Sequence, residues 1–324
     1  MPIKRVVLHT SDPVRNIEFQ TGNTNPLIYL YEVTGITENF FISTWDTEAY
    51  GGNTPIVLPL YDGGLYDFNV DWGDTTTSHI VEWNQVETTH QYLIGGVYTV
   101  KIIGVIIGWC NVNAYEDETL IEISNWGPLK IGNSGYSFNH NWKLICTATD
   151  KLDISGVTNM NSMFYQSFLF NQNISNWNVG NVTSMSYMFG YTNSFTSDIT
   201  NWNVGNVTDM SYMFISNDIF NQDISNWNVG NVTNMSNMFY DSVFNQDISN
   251  WDISNVTDMS YMFYNSALSN SNYSNILIGW AAQTVKPNVT LDVGTIKYNS
   301  SAATARGILT SSPNNWIIND GGVE

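Results

Sequence analysis

Apolar residues recur in two alternating spacings between residues 152 and 275. In the stretch Ile174-Ser-Asn-Trp177-Asn-Val179-Gly-Asn-Val182-Thr-Ser-Met185-Ser-Tyr-Met188-Phe189, the positions Ile174, Trp177 and Val179 predict a short strand with a bend at its start. Val182, Met185, Met188 and Phe189 follow at i, i+3, i+6 and i+7, which predicts one stripe of a short helix with Thr183 as its N-cap. A return loop such as Phe220-Asn-Gln-Asp223 leads into the next copy. Tryptophan marks the period: Trp177, Trp202, Trp227 and Trp251 lie 25, 25 and 24 residues apart. Residues 152–160 fit one unit earlier, and Ile123-Ser-Asn-Trp126 marks a degenerate unit before that. A fixed period of this length predicts a solenoid, because one unit cannot bury its apolar side without a neighbour.

Ten of the eleven methionines form five pairs inside these units, from Met160/Met163 to Met259/Met262. A methionine stripe can serve as a pliable binding surface. The adjoining Phe164, Phe189, Phe214, Phe239 and Phe263 instead predict an interior ladder, so the stripe is read as core.

The rest of the chain has other patterns. Residues 1–38 include Leu27-Ile-Tyr-Leu-Tyr-Glu-Val33, which has strand composition, and form either an extra β segment or a docking arm. Residues 39–108 predict a β-sandwich, with strands at Pro55-Ile-Val-Leu-Pro-Leu60, Tyr66-Asp-Phe-Asn-Val-Asp-Trp72 and Tyr98-Thr-Val-Lys-Ile-Ile103 between Gly/Asp/Asn clusters. Residues 109–275 are the solenoid, with a degenerate opening repeat over 109–151, broken by Pro128, and regular repeats over 152–275. Residues 276–324 predict a cap in which Ala302-Ala-Thr-Ala-Arg-Gly-Ile-Leu309 is helical and Trp316-Ile-Ile-Asn forms a last strand. The fold class expected is β-rich and multi-domain: an immunoglobulin-like sandwich, then an α/β solenoid of leucine-rich-repeat type with short helices, then a C-terminal cap.

Two resemblances sharpen this. Phe220-Asn-Gln-Asp-Ile-Ser-Asn-Trp227 and Asn231-Val-Thr-Asn-Met-Ser-Asn-Met-Phe239 resemble the BspA-type leucine-rich repeat, the 26-residue repeat of bacterial surface proteins, over five units. The ending, with Gly279-Trp-Ala-Ala, an Ala-rich segment holding Arg306 and Trp316-Ile-Ile-Asn-Asp-Gly-Gly322, is similar to endings that accompany that repeat. This resemblance implies surface adhesion proteins of bacteria and related viral or phage proteins, and no chemistry. Val70-Asp-Trp-Gly-Asp-Thr75, then Thr89-His-Gln-Tyr92 and Gly95-Gly-Val-Tyr-Thr-Val100, resemble the PKD type of immunoglobulin-like domain. Thr75 stands where that pattern has its last glycine.

Charge then narrows the partners. The net charge is −19, and no Lys, Arg or His lies between Lys151 and Lys286, whereas nine Asp lie in residues 152–275. Nucleic acid is excluded as a partner, since binding it rests on neutralising phosphates with cations, and an anionic membrane surface is disfavoured likewise. No run approaches the ~20 apolar residues of a membrane span, so no membrane insertion is expected. Cys110 and Cys146 either pair across the opening repeat or stay free. The first residues, Met1-Pro-Ile-Lys-Arg-Val-Val-Leu-His, show no evident signal peptide. A surface-type repeat lacking that signal points to a virion surface, with an extracellular or bacterial cell-surface location as the alternative.

Candidate chemistry is sparse. No nucleophile motif, phosphate loop or Cys/His metal spacing occurs, so neither an enzyme, a cofactor nor a metal is expected. Asp71, Asp74 and His90 suit either a hard cation or a turn in which the carboxylates accept backbone N–H groups. Asn181-Val-Thr183, Asn206-Val-Thr208, Asn231-Val-Thr233 and Asn255-Val-Thr257 are formal glycosylation sequons, read as coincidental because each Thr is wanted as a cap. The candidate ligand-binding residues are those between the inward apolar positions: Asn176, Asn178, Asn201, Asn203, Asn226, Asn228, Asn250 and Asp252. Their amides offer donors and acceptors to sugar hydroxyls, or bond to one another as a structural ladder. The expected function is non-enzymatic adhesion or receptor binding to a host cell-surface glycan or protein, as a fibre, spike or decoration subunit that contacts neighbouring virion subunits through its N-terminal segment. A bacterial adhesin and a purely architectural subunit are the alternatives.

Overall fold

The computed structural model describes residues 39–112 and 118–324. The strand or docking arm expected within residues 1–38 lies outside the described residues. Phe40–Glu324 form one compact unit.

Alternating burial builds the first half. β1 (Phe41–Asp46) turns Phe41, Ser43 and Trp45 inward, and β3 (Leu65–Asp71) turns Tyr66, Phe68 and Val70 inward, the period-2 pattern of a strand with one covered face. Between them lies the two-residue β2 (Ile56–Val57), which pairs with β5 (Thr89–His90). β4 (Thr77–Ile80) edges β3, and the eleven-residue β6 (Val97–Ile107) pairs antiparallel with both β3 and β1. β7 (Leu120–Asn125), β8 (Leu129–Lys130) and β9 (Ile145–Cys146) extend this sheet, giving the order β4-β3-β6-β1-β7-β9 with β8 parallel to β6. Strands from 39–108 and from 109–151 therefore share one sheet. Gly104 in β6 permits the close pairing with β3, since a Cβ there would lie 2.4 Å from the Asp67 carbonyl oxygen.

The chain from 152 to 268 contains neither the short helices nor the multi-residue strands that its spacing predicts. Each unit is a series of tight turns and contributes one bridge residue to a parallel row, Asn159, Ser184, Asp209, Asn234 and Asp258. The helix is excluded by its own backbone. Tyr187 and Tyr191 have φ of 58° and 57°, and the same two positions recur in the left-handed region in every unit, as at Asn237 and Asp241. N–H groups consequently alternate in direction. Tyr187 and Phe189 donate to the carbonyls of Ser211 and Met213 in the next unit, while Met188 and Gly190 donate back three residues to Met185 and Tyr187. The i, i+3 methionine spacing is thus the period of these turns. Thr183 caps no helix: its N–H and Oγ1 both donate to the carbonyl of Thr158, at 2.8 and 3.1 Å.

The interior is columnar. Phe164, Phe189, Phe214, Phe239 and Phe263 stack at 5.6–6.1 Å between ring centroids, and all ten paired methionines are buried. The indole N–H of Trp202, Trp227 and Trp251 each reaches the carbonyl of an isoleucine in the preceding unit, Ile174, Ile199 and Ile224. A buried indole needs such a partner, which ties each tryptophan to the unit before it.

α1 (Asn270–Ala281) ends the series, capped by the Ser269 side chain. The spacing of Tyr273, Ile276, Leu277 and Trp280 buries one face, and Trp280 continues the indole ladder to Ile248. Gly279 lets the helix sit against the last unit, since a Cβ would lie 2.2 Å from the Ser249 carbonyl oxygen. β10 (Thr290–Asp292) pairs parallel with β11 (Ile317–Asn319), and α2 (Ala303–Thr310) lies between them in sequence. Arg306 on α2 grips Asp320 through Nε and Nη2 at 2.7 and 3.2 Å.

Candidate recognition surface

Each unit presents polar side chains at fixed positions, and a local bond decides which remain free. Asn178, Asn203 and Asn228 accept the N–H of Gly180, Gly205 and Gly230 through Oδ1 at 3.2–3.3 Å, and Asp252 accepts that of Ser254 at 3.0 Å. These are Asx turns, in which a short polar side chain closes its own bend. Glycine eases the fit of the next unit without being required by the bend: a Cβ at Gly180 would lie 3.2 Å from Asn203 Nδ2, and one at Gly205 equally close to Asn228 Nδ2, whereas Ser254 closes the equivalent bend with Asp252.

The neighbouring column behaves differently. Asn176, Asn201 and Asn226 are exposed and make no side-chain hydrogen bond among the described residues, while Asn250 donates to the Ser225 carbonyl at 3.0 Å. The eight candidates therefore divide into four turn-closing side chains, one tied back to the preceding unit, and three bare amides. The sequon asparagines form a third column, in which Asn206, Asn231 and Asn255 donate to the carbonyls of Gly180, Gly205 and Gly230.

Two clefts open along these columns. One of about 310 Å³ is lined by Asp150, Lys151, Asn171, Asn173, Asn176 and Trp177, among others. Asp150 is engaged with the N–H groups of Trp126 and Gly127, whereas Lys151 and the Asn176 amide are among the polar groups left to meet a ligand. A second, of about 320 Å³, is bordered by Asp223, Gln246, Asp247 and Asn250. Asp198 and Asp223 are held below the usual carboxylate range by hydrogen bonds from Thr200 and Ser225 respectively, so this surface keeps its negative charge in mild acid.

Asp71 and Asp74 close turns, accepting the N–H of Gly73 and Thr76 at 2.9 and 3.0 Å. Asp74 also lies 2.8 Å from His90 Nε2, and the His90 ring stacks on Trp72 at 4.7 Å. Burial pushes the Asp74 carboxyl up, but hydrogen bonds from Thr76 and His90 outweigh it and hold the group below its ordinary value. Thr75 takes φ 76°, the conformation a glycine would supply at that turn. Among the described residues no group of three or more His, Cys, Asp or Glu is placed to hold a metal ion. Cys110 and Cys146 are both free, and burial pushes the Cys146 thiol up to about 12.

One surface was missed in the sequence. Tyr165, Tyr187, Tyr212, Tyr240, Tyr261 and Tyr264 line the outer side of the turns that bury the methionines. Tyr187 and Tyr212 stack at 4.2 Å, and Tyr261 and Tyr264 are 49% and 40% exposed. Their signal was the phrase Met-Ser-Tyr-Met, in which a tyrosine falls between two core positions.

The family described as Mycoplasma protein of unknown function, DUF285, matches residues 132–242 and again 197–290, so the similarity spans the repeats and leaves residues 39–131 unmatched. No curated protein and no solved structure matches the chain.

Proposed function

We propose that this chain is a non-enzymatic, surface-displayed recognition protein: a PKD-like immunoglobulin sandwich followed by a capped BspA-type leucine-rich-repeat solenoid, acting in adhesion or receptor binding. The observation that carries the reading is the division of labour within each unit. Trp, Met, Phe and Thr hold the units together, whereas Asn176, Asn201 and Asn226 stand at equivalent exposed positions with nothing bonded to them. Rigid presentation of repeated polar groups gives several weak contacts at once, and multivalency raises affinity without any strong single site. The near-absence of cations steers the reading to uncharged host-surface glycan or protein ligands.

The carrier proposed from the sequence is a virus or phage particle, on which the chain is a fibre, spike or decoration subunit. A bacterial cell surface is the second carrier, favoured by the likeness to a Mycoplasma family. Adhesion of the purified protein to intact host cells tests the function, and antibody labelling of particles against cell envelopes separates the carriers. A purely architectural subunit adheres to no cell, and that result would remove the recognition reading.

A further inference from the structure

One tryptophan of the indole ladder donates to no protein group. Trp126 gives its indole N–H to Gln172 Oε1 at 3.1 Å, and Trp202, Trp227, Trp251 and Trp280 each give theirs to the carbonyl of an isoleucine in the preceding unit. Trp177 is 7% exposed, and its Nε1 has no partner among the described residues. The unit before it departs from the pattern at both places that matter: Thr149 stands where the isoleucine would, and Leu152 where the tryptophan would. It is at this departure that the cleft of about 310 Å³ opens, with Trp177, Thr149 and Lys151 in its lining. A buried indole N–H ordinarily has a partner. Unlike the Nε1 atoms of Trp109 and Trp142, that of Trp177 is not sealed inside the protein, so the cleft is what it meets.

The same departure supplies a cation. Lys151 lies one unit before Asn176, at the head of the column Asn176, Asn201, Asn226 and Asn250. Its ammonium makes no ion pair or hydrogen bond among the described residues, whereas Lys130 is paired with Asp153 and Lys143 with Glu118, at 2.9 and 2.6 Å. Carboxylates at this end of the solenoid are engaged: Asp150 accepts the N–H groups of Trp126 and Gly127, Glu122 accepts the Thr147 hydroxyl at 2.6 Å, and Asp153 holds Lys130. An ammonium and an indole N–H, both able only to donate, thus line one cleft without partners. That pair suits a carboxylate, which accepts on two oxygens and bonds most strongly to a charged donor. No further Lys, Arg or His lies from residue 152 to 285, so the site matches one acid, and whatever continues from it along the solenoid is uncharged.

We infer that this cleft binds the acidic terminal sugar of a glycan, its carboxylate on the Lys151 ammonium and the Trp177 indole N–H, with the uncharged sugars that follow lying along Asn176, Asn201 and Asn226. The inference rests on the recognition reading and names its ligand class. A sugar acid is favoured over a peptide carboxylate because the column continuing from Lys151 is amide throughout, which meets hydroxyls with both donors and acceptors and presents no apolar side chain for a peptide residue to pack on.

The test is calorimetric titration of the full chain with two acid probes, sialyllactose and trigalacturonate, each set against its neutral counterpart, lactose and fully methyl-esterified trigalacturonate. Acetyl-trialanine supplies a peptide carboxylate. The expected result is binding of at least one acid probe, about tenfold or more tighter than its neutral counterpart. Lys151→Met is expected to weaken that probe by about tenfold or more, with Tm unchanged because Lys151 is exposed and unpaired; Lys151→Arg is expected to keep the binding. Trp177→Phe removes an N–H that no carbonyl uses, and is expected to weaken the probe by about threefold or more. Equal binding of the acid and neutral probes, undiminished acid binding by Lys151→Met, or acetyl-trialanine binding as tightly as the acid sugars overturns the inference. If the wild type adheres to cells yet binds no acid probe, the inference fails and the recognition reading stands; if it adheres to nothing, both fail.

Discussion

Thr208 donates both its backbone N–H and its hydroxyl to one acceptor, the carbonyl of Thr183 in the preceding unit, at 2.8 and 3.1 Å. Thr233 and Thr257 repeat the arrangement on Thr208 and Thr233. An exposed residue thereby becomes a rung between units, and its β-branch fixes the hydroxyl in a narrow range of χ1. Thr208→Val keeps that shape and removes the hydroxyl. It is expected to cost about 0.5–1.5 kcal/mol, the net value of one hydrogen bond, read from the urea midpoint. An unmoved midpoint would show that the N–H alone makes the rung.

The indole ladder makes a larger claim. Trp227 is buried, and its Nε1 donates to the Ile199 carbonyl at 3.2 Å. Trp227→Ala is expected to cost about 3–5 kcal/mol through the cavity it leaves. Trp227→Phe keeps most of the apolar volume and removes one of two hydrogen bonds on the Ile199 carbonyl, which still accepts the Trp202 N–H at 3.1 Å, and is expected to cost about 0.5–1.5 kcal/mol. If thermal melts place the two variants together, the loss lies in the indole hydrogen bond rather than in the cavity.

What was legible in the letters follows from where each signal lives. Trp, Met and Phe columns were readable because burial repeats at the sequence period, and Trp227, Met235 and Phe239 are buried as that pattern predicts. The conformation between them was not readable. An i, i+3 methionine pair fits a helical turn as well as a tight turn, and left-handed backbone is signalled only by residues such as Asn237 and Asp241, while Tyr187 and Tyr191 hide it. α1 was legible and was overlooked: Tyr273, Ile276, Leu277 and Trp280 have the i, i+3, i+4, i+7 spacing of a buried helix face. At the candidate surface, alternation correctly placed Asn176 and Asn178 outside, but it did not separate them. That difference lies in Gly180, two residues after Asn178, whose N–H the Asn178 side chain takes.

The C-terminal closure includes one largely buried ion pair. The Asp320 side chain is 3% exposed and receives two bonds from Arg306 and one from the Tyr273 hydroxyl at 2.9 Å. Arg306→Met keeps the apolar stem but leaves a buried carboxylate without its cation. The expected cost is about 3–5 kcal/mol, seen as a lower Tm. Arg306→Met combined with Asp320→Asn is expected to recover part of it. A double variant as unstable as the single one would locate the loss in the contacts of the Arg306 stem.

Acid should loosen the units through the same carboxylates that close their turns. Hydrogen bonds from Ser155, with Lys130 at 2.9 Å, hold Asp153 down at about 2. Hydrogen bonds from Thr200, Ser225 and Ser254 lower Asp198, Asp223 and Asp252. A folded value below the unfolded one, about 3.9 for Asp, means that stability is fully present above pH ~4 and is lost as pH falls toward the folded value. Protonation also relieves the repulsion of a chain with net charge −19, an opposing effect. At 0.15 M salt the screening length is about 8 Å, which weakens distant repulsion and leaves the turn bonds intact. Tm is therefore expected to be nearly level from pH 7 to about 5 and to fall between about pH 4 and 2. Asp153→Asn keeps the turn acceptor and removes one titrating group, so it should flatten part of that fall. Because Asp153 and Lys130 are 42% and 44% exposed, the same substitution should change Tm little at pH 7. A Tm that rises below pH 4 would show that relief of repulsion outweighs the turn carboxylates.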